Sequence, residues 1–126
     1  MNTKGTITMD KKWLSEVERI IKDTIKEIEY KAEPKGVNQW QTPAETVELG
    51  TGDCEDIQLL IRARLFDFNL IDEGRLLLGR DKQLGRHAVL KIKDPDGSEH
   101  FICNVNGLRD IADFEIEREL NPTWMV

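Results

Sequence analysis

A cysteine, a histidine and an asparagine, in that chain order, are the residues of this sequence that could together break an amide bond. Cys54 follows Gly50-Thr51-Gly52-Asp53, a tight-loop signal, and directly precedes an apolar pattern of helical spacing. We therefore expect Cys54 in the first turn of a helix, where the helix dipole favours the thiolate. A lone cysteine is more often a small buried hydrophobe, and neighbouring carboxylates oppose a thiolate. The loop alone therefore does not establish a nucleophile.

His87 and Asn104 are the partners that such a nucleophile would need. They lie in two stretches of alternating apolar and polar residues, 86–93 and 98–105, joined by the turn signal Asp94-Pro95-Asp96-Gly97. This pattern predicts a β-hairpin. In a site of this kind the cysteine attacks a carbonyl, the histidine takes and returns a proton, and the asparagine amide oxygen fixes the imidazole tautomer.

The register of the predicted hairpin decides whether His87 and Asn104 face each other. A four-residue loop pairs Lys93 with Ser98 and opposes His87 to Asn104. A three-residue loop with a bulge at Gly97 shifts the pairing by one residue, and a later bulge could reconcile the two. The first register is favoured because it puts the apolar residues of both strands on one face: Ala88, Leu90, Ile92, Phe101, Cys103 and Val105. Cys103 is then an inert core residue, and His100, beside the turn, is the rival base.

Two helices are predicted ahead of the cysteine loop. From Met9 to about Ala32 apolar residues recur at helical spacing, with Asp10 as the N-cap. A second, short helix is predicted for 43–49, ending at Gly50, because Thr42 and Glu45 form a capping-box pattern around a proline.

The cysteine loop itself begins a third helix. Asp53 is its expected N-cap with Asp56 at N3, and the helix should end near 67–69. Just upstream, Gln39 and Trp40 could donate hydrogen bonds to an oxyanion, although a surface role for Gln39 and a core role for Trp40 are commoner. Residues 75–79 are predicted as a buried strand, and 108–119 fit neither strand nor helix clearly.

Composition limits the classes of function. The chain has 126 residues, a net charge of −6, 39% hydrophobic and 33% charged residues, which indicates one domain spanning 1–126. An acidic chain is poorly suited to nucleic acid, and no apolar run approaches the about 20 residues that cross a bilayer. No signal peptide is visible and two cysteines make no disulfide framework, so we expect a cytoplasmic protein; an export signal preceding these residues would make it periplasmic.

Three segments together resemble the bacterial transglutaminase-like cysteine peptidases: Trp40-x-Thr42-Pro43-x-Glu45, Gly52-Asp53-Cys54-Glu55-Asp56 and His87-Ala88-Val89-Leu90. The likeness spans about 37–107. It implies a papain-like α+β fold, with N-terminal helices packed on a small antiparallel sheet, and a protein or peptide substrate. It also implies Cys54 as nucleophile and His87 as base, with no required cofactor.

The resemblance also bears on calcium. Some periplasmic members of the family are calcium-dependent and cleave large surface adhesins, and the acidic residues beside their cysteine bind the ion. That implies a calcium site at Asp53, Glu55 and Asp56. A plain helix-capping role for Asp53 and Asp56 is the alternative.

The sequence departs from the family pattern at three places. Cys103-Asn104 stands where Asp-Asn is common, and since alternation puts Cys103 on the apolar face, Asn104 is the expected third member of the triad. Gln58 replaces a small residue and Ile61 replaces a lysine. The main prediction is a thiol hydrolase of peptide or amide bonds. An inactive interaction module and an acidic calcium-binding structural domain are the alternatives.

Overall fold

The computed structural model describes residues 3–31, 41–81, 85–103, 107–109 and 114–120. Its helices are α1 (Thr3–Glu27), α2 (Pro43–Leu49) and α3 (Cys54–Asp67). Its strands, in chain order, are β1 (Glu29–Tyr30), β2 (Thr51–Gly52), β3 (Gly74–Asp81), β4 (Gly85–Lys93), β5 (Glu99–Cys103), β6 (Gly107–Arg109) and β7 (Phe114–Leu120). Within these ranges, no helix has the length and apolarity needed to cross a membrane.

The strands form two sheets. The larger is antiparallel, with strand order β6-β5-β4-β3-β7, and the smaller is a parallel pair of β1 and β2. Helices α1 and α3 pack on one face of the large sheet. The predicted α+β architecture, with N-terminal helices on a small antiparallel sheet, is confirmed.

The hydrophobic core lies between the two long helices and that face of the sheet. Its fully buried members include Val17 and Ile21 of α1, Ile61 and Leu65 of α3, and Ile92 of β4. The opposite face of the sheet is also partly closed: a second group of buried residues consists of Leu77, Val89 and Cys103. The strands therefore carry buried apolar residues on both faces.

The helix boundaries agree with the local capping signals and differ where such signals are weak. Helix α2 runs over the predicted residues, and α3 begins at Cys54 and ends at Asp67 as expected. The predicted α1 boundaries are wrong. Asp10 lies inside the helix, which begins at Thr3, and the helix ends at Glu27 because the chain then turns into β1.

The favoured hairpin register is wrong, and the structure has the alternative one. Strands β4 and β5 pair Lys93 with Glu99 and Leu90 with Ile102, a shift of one residue. The turn decides this: Asp94 N–H donates to the Ser98 carbonyl at 2.9 Å, and Gly97 adopts φ +88°, the left-handed conformation of a three-residue loop with a bulge. Pairing beyond Cys103 involves Asn104, which lies outside the described residues.

The slipped register exchanges the faces of β5. Ile102 packs with Leu90 and Ile92 toward the helices, whereas Cys103 and Phe101 pack with Val89 on the other face. The predicted common face of both strands is therefore wrong. The segment 108–119, which fitted neither helix nor strand, contains most of β6 and most of β7.

Candidate active site

Two reciprocal capping boxes fix the loop that carries Cys54. At α2, Glu45 N–H donates to the Thr42 hydroxyl at 3.2 Å and Thr42 N–H donates to the Glu45 carboxylate at 3.0 Å. At α3, Asp56 N–H donates to Asp53 Oδ1 at 3.0 Å and Asp53 N–H donates to Asp56 Oδ2 at 3.1 Å. Each box satisfies N–H groups that a helix start leaves open. Cys54 is thereby held as the first residue of α3.

Gly52 and Gln41 close the loop around Asp56. A side chain at Gly52 would bring its Cβ to 2.8 Å from Asp56 Cβ, so glycine permits this close approach. Gln41 N–H donates to Asp56 Oδ1 at 3.0 Å, and its side-chain amide donates to the Thr46 hydroxyl at 3.0 Å and the Thr51 carbonyl at 3.1 Å. Gln41 thus ties α2, β2 and α3 together.

Tyr30 lies beside the same loop because β1 pairs with β2. Tyr30 is opposite Gly52, and the flanking Lys31 N–H donates to the Gly52 carbonyl at 2.8 Å. Partial burial raises the pKa of the Tyr30 phenol, and electrostatic interactions with Cys54 and Asp53 add to this effect. With 58% of its surface exposed, Tyr30 lies at the protein surface beside this loop.

Cys54 is half-buried against the large sheet. It packs on a group of buried residues made of Leu59, Leu76, Leu78, Ala88 and Leu120, and the nearby backbone of Ala88 acts to lower the pKa of its thiol. Ala88 directly follows His87 along β4, so the backbone of the predicted base lies next to the strand residue that Cys54 contacts. The His87 side chain, Asn104, Gln39 and Trp40 lie outside what the structure describes, and their roles remain predictions.

The electrostatic environment does not match the expected thiolate. Burial first, then the charges of Glu55 and Asp53, raise the pKa of the Cys54 thiol to about 12, although backbone hydrogen bonds at Ala88 and Glu55 act to lower it. Desolvation and like charge thus outweigh the helix dipole. The environment that the described residues provide for Cys54 therefore favours the neutral thiol over the thiolate.

The carboxyl groups beside Cys54 perturb one another. Burial, followed by the charge of Asp53, raises the pKa of Glu55 to about 7. Burial also raises the pKa of Asp56 to about 7, against the backbone N–H groups of Gln41 and Asp53, which favour its ionised form. Glu55 and Asp56 are consequently harder to ionise than ordinary carboxyls.

Asp53, Glu55 and Asp56 have the oxygen ligands that a calcium site needs, but their side chains do not converge on one point. Carboxylate oxygens are the hard ligands that calcium prefers. Both Asp56 oxygens and one Asp53 oxygen accept backbone N–H groups of the loop. Among the described residues, no three acidic, histidine or cysteine side chains are arranged to hold a metal ion. The expected calcium site is thus not preformed at Asp53, Glu55 and Asp56.

His100, the rival base, and Cys103, the second cysteine, have contacts of their own away from the loop that carries Cys54. His100 Nε2 is 2.9 Å from Asp94 Oδ2, and its ring packs on Trp13 with centroids 5.3 Å apart. Burial acts to raise the pKa of Asp94, but hydrogen bonds from His100 and from two backbone N–H groups hold it below its ordinary value. Cys103 is fully buried, as expected for a core residue.

Gln58 is the polar residue of α3 that points into the core. It is fully buried one turn after Cys54, and its Nε2 donates to the Ile102 carbonyl at 2.7 Å and approaches the Ala88 carbonyl at 3.5 Å. Within the part of the chain that the structure describes, its Oε1 has no hydrogen-bond partner. Gln58 therefore joins the helix of Cys54 to β4 and β5.

Sequence reasoning missed two residues that contact the loop carrying Cys54, Gln41 and Tyr30. The signal for Gln41 was its position directly before the Thr42 cap, where its backbone could reach the next helix. No local pattern marks Tyr30, since β1 is a two-residue strand that exists only through its pairing with β2.

The comparisons with known proteins agree with this fold. The structure is similar to calcium-bound LapG of Legionella pneumophila, with a TM-score of 0.71, 19% identity, and coverage of 83% of this chain and 63% of that one. It is also similar to EGTA-treated LapG, with a TM-score of 0.71, 19% identity, and coverage of 86% of this chain and 63% of that one.

A third similar structure is a candidate cysteine protease of Cytophaga hutchinsonii, with a TM-score of 0.61, 20% identity, and coverage of 88% of this chain and 47% of that one. The chain thus spans less than two thirds of the length of these neighbours. No curated protein matches it. The profile of the bacterial transglutaminase-like cysteine proteinases matches residues 2–108. Since this match covers most of the chain, the protein belongs to the family of bacterial transglutaminase-like cysteine proteinases.

Proposed function

We propose that the protein hydrolyses peptide bonds of a protein substrate through a covalent acyl-enzyme on Cys54. One observation carries the proposal: Cys54 begins α3 with its thiol against the backbone of Ala88, the strand residue that follows His87. Family membership supports the same chemistry. A nucleophile at a helix start, beside the strand that supplies a base, is the arrangement that thiol hydrolysis needs.

In the proposed reaction His87 acts as a general base during attack. The Cys54 thiol gives its proton to the imidazole as Sγ bonds to the substrate carbonyl carbon. The proton then passes to the leaving amine as the C–N bond breaks, and water releases the acyl group as an acid. Because the pKa of Cys54 is raised to about 12, a base that acts in the transition state is needed. In this proposal Asn104 orients the imidazole, and Gln39 or Trp40 donates to the oxyanion.

The proposal is tested with a fluorescence-quenched denatured casein and a peptidyl vinyl sulfone probe. We expect the unmodified protein to cleave casein and to form a probe adduct, and Cys54→Ala to do neither. Cys103→Ala is the matched control, because it removes the other thiol and should keep both activities. Absence of both activities from the unmodified protein would overturn the proposal and favour a non-enzymatic interaction module.

The same acyl-enzyme could be released by an amine instead of water, which would make the protein a transferase. The two outcomes are separated by adding a primary amine to the casein reaction and weighing the products. We expect free carboxyl ends. Products that carry the amine would instead identify acyl transfer.

We further propose that calcium binds at Asp53, Glu55 and Asp56. What supports this is the crowding of three carboxyls around Cys54, whose repulsion a divalent cation would relieve, together with one similar structure that is calcium-bound. When bound, the cation would supply positive charge beside the thiol. The carboxylates would have to turn from their capping contacts to hold it.

Calorimetric titration with calcium tests this proposal without any measurement of activity. We expect heat of binding and a rise in melting temperature in the unmodified protein, both lost in Glu55→Gln. Glu18→Gln, an exposed change on α1, is the matched control. No heat and no thermal shift in the unmodified protein would remove calcium from the account.

A further inference from the structure

Gln58 contacts two strands from the helix that carries Cys54. The two residues are four positions apart and therefore share a face of α3. The Gln58 amide reaches the carbonyl oxygens of Ile102 on β5 at 2.7 Å and of Ala88 on β4 at 3.5 Å. Cys54 packs against the buried group that contains the same Ala88. One short segment of β4 is thus contacted by both side chains.

A packing role alone does not account for this residue. Gln58 is fully buried, yet its Oε1 lacks a hydrogen-bond partner among the described residues. Buried polar atoms without partners are rare in folded proteins because burial strips them of water. An apolar side chain of similar length would fill the space without that penalty, so the two carbonyl contacts are the distinctive feature of a glutamine here.

We propose that Gln58 is a positioning residue that sets the distance between Cys54 on α3 and the His87 segment of β4. By holding the Ile102 and Ala88 carbonyls, its amide fixes the start of α3 against β4 and β5. His87 directly precedes Ala88, and the predicted partner Asn104 follows β5 by one residue. This inference rests on the proposed function, since it concerns the geometry of that thiol and that base.

The test compares Gln58→Met, which keeps side-chain length and loses the amide, with Gln58→Glu. A buried glutamic acid is protonated, so its O–H can donate to the Ile102 carbonyl in place of the amide. Ile61→Val is the matched control, because Ile61 is fully buried on the same helix. Its side chain is apolar and cannot hydrogen bond to the strands. For each variant we would measure kcat and KM on quenched casein, the melting temperature, and the pH profile of Cys54 alkylation.

We expect Gln58→Met to lower kcat on the order of tenfold with little change in KM, since small misplacements of reacting groups are costly. Gln58→Glu should recover part of that loss, and the recovery should fade as pH rises and the carboxyl ionises. The alkylation profile of Cys54 should shift in Gln58→Met and not in Ile61→Val.

Three adverse outcomes are possible, and they separate the positioning role of Gln58 from the proposed function. If the unmodified protein cleaves casein and Gln58→Met behaves like Ile61→Val in kcat and in the alkylation profile, the positioning role is wrong and the proposed function stands. If Gln58→Met does not fold, equal kcat in Gln58→Glu at low and high pH would refute the role. If the unmodified protein is itself inactive, the proposed function fails and this inference fails with it.

Discussion

Asp53 and Asp56 cap each other across the first turn of α3, each carboxylate accepting the other's backbone N–H at 3.0 and 3.1 Å. Both side chains are nearly buried, with 8% and 1% of their surface exposed. The contacts that fix Cys54 at the helix start therefore also place negative charge beside its thiol. Asp53 therefore acts on both properties: it caps the helix that begins at Cys54, and its charge adds to burial and to Glu55 in raising the pKa of the thiol.

Changes at Asp53 should separate these two effects. Asp53→Ala should lower the free energy of unfolding by about 1–2 kcal/mol, because the N-cap is lost. Asp53→Asn keeps a capping oxygen and removes the charge, so it should retain stability and speed the alkylation of Cys54. Urea denaturation and iodoacetamide kinetics measure the two quantities. Thr42→Ala, which removes the equivalent cap of α2, should cost stability without changing the alkylation rate.

The free energy of unfolding should depend on pH through the carboxyl of Glu55, the residue after Cys54. Burial raises the pKa of Glu55 from its ordinary 4.5 to about 7, so the folded state binds more protons than the unfolded state between those values. Stability is then full below pH about 4.5 and declines as pH rises through 7. Urea denaturation in EGTA at several pH values should show this decline, reduced in Glu55→Gln. An unchanged slope in Glu55→Gln would contradict the assignment.

The two histidines should respond differently to substitution. His87→Gln should lower kcat by roughly 10²- to 10⁴-fold, the usual contribution of a general base. His100→Gln should keep kcat and lower stability, because it breaks the 2.9 Å contact with an Asp94 side chain that is only 11% exposed. Casein kinetics and thermal melts of both variants decide this. A larger loss of kcat in His100→Gln would reverse the two roles.

The parts of the fold that local chemistry specifies could be predicted from the sequence. Thr42 with Glu45 and Asp53 with Asp56 mark helix starts by side-chain contacts three residues apart, and both boxes form. These signals depend only on neighbours in the chain, which is why they also placed Cys54 correctly at the first residue of α3.

The hairpin register could not be predicted in the same way. Hydrophobic alternation discriminates between registers only when one face of a sheet is buried, and here Val89 and Cys103 are buried on the face opposite Leu90. The turn decides instead, since Asp94 Oδ1 accepts the N–H groups of Asp96 and Ser98 at 2.9 Å. The turn sequence was compatible with both loop lengths, so these contacts became visible only with the structure.

The properties of the site that depend on burial could also not be predicted from the sequence. The helix dipole predicted a thiolate at Cys54, but desolvation by the strand residues around Ala88, which no local pattern reveals, raises its pKa. Gln58 could be noticed only as a large polar residue where the family has a small one. Its contacts with β4 and β5 became visible with the tertiary structure.

Site-resolved labelling with the peptidyl vinyl sulfone tests the central claim, that Cys54 is the nucleophile and His87 its base. After reaction of the native protein, proteolytic digestion and mass spectrometry report which sulfur carries the probe. We predict one adduct per chain on Cys54, none on Cys103, and a strongly reduced rate in His87→Gln. An adduct on Cys103, or labelling of Cys54 that is equally fast in His87→Gln, would contradict the account.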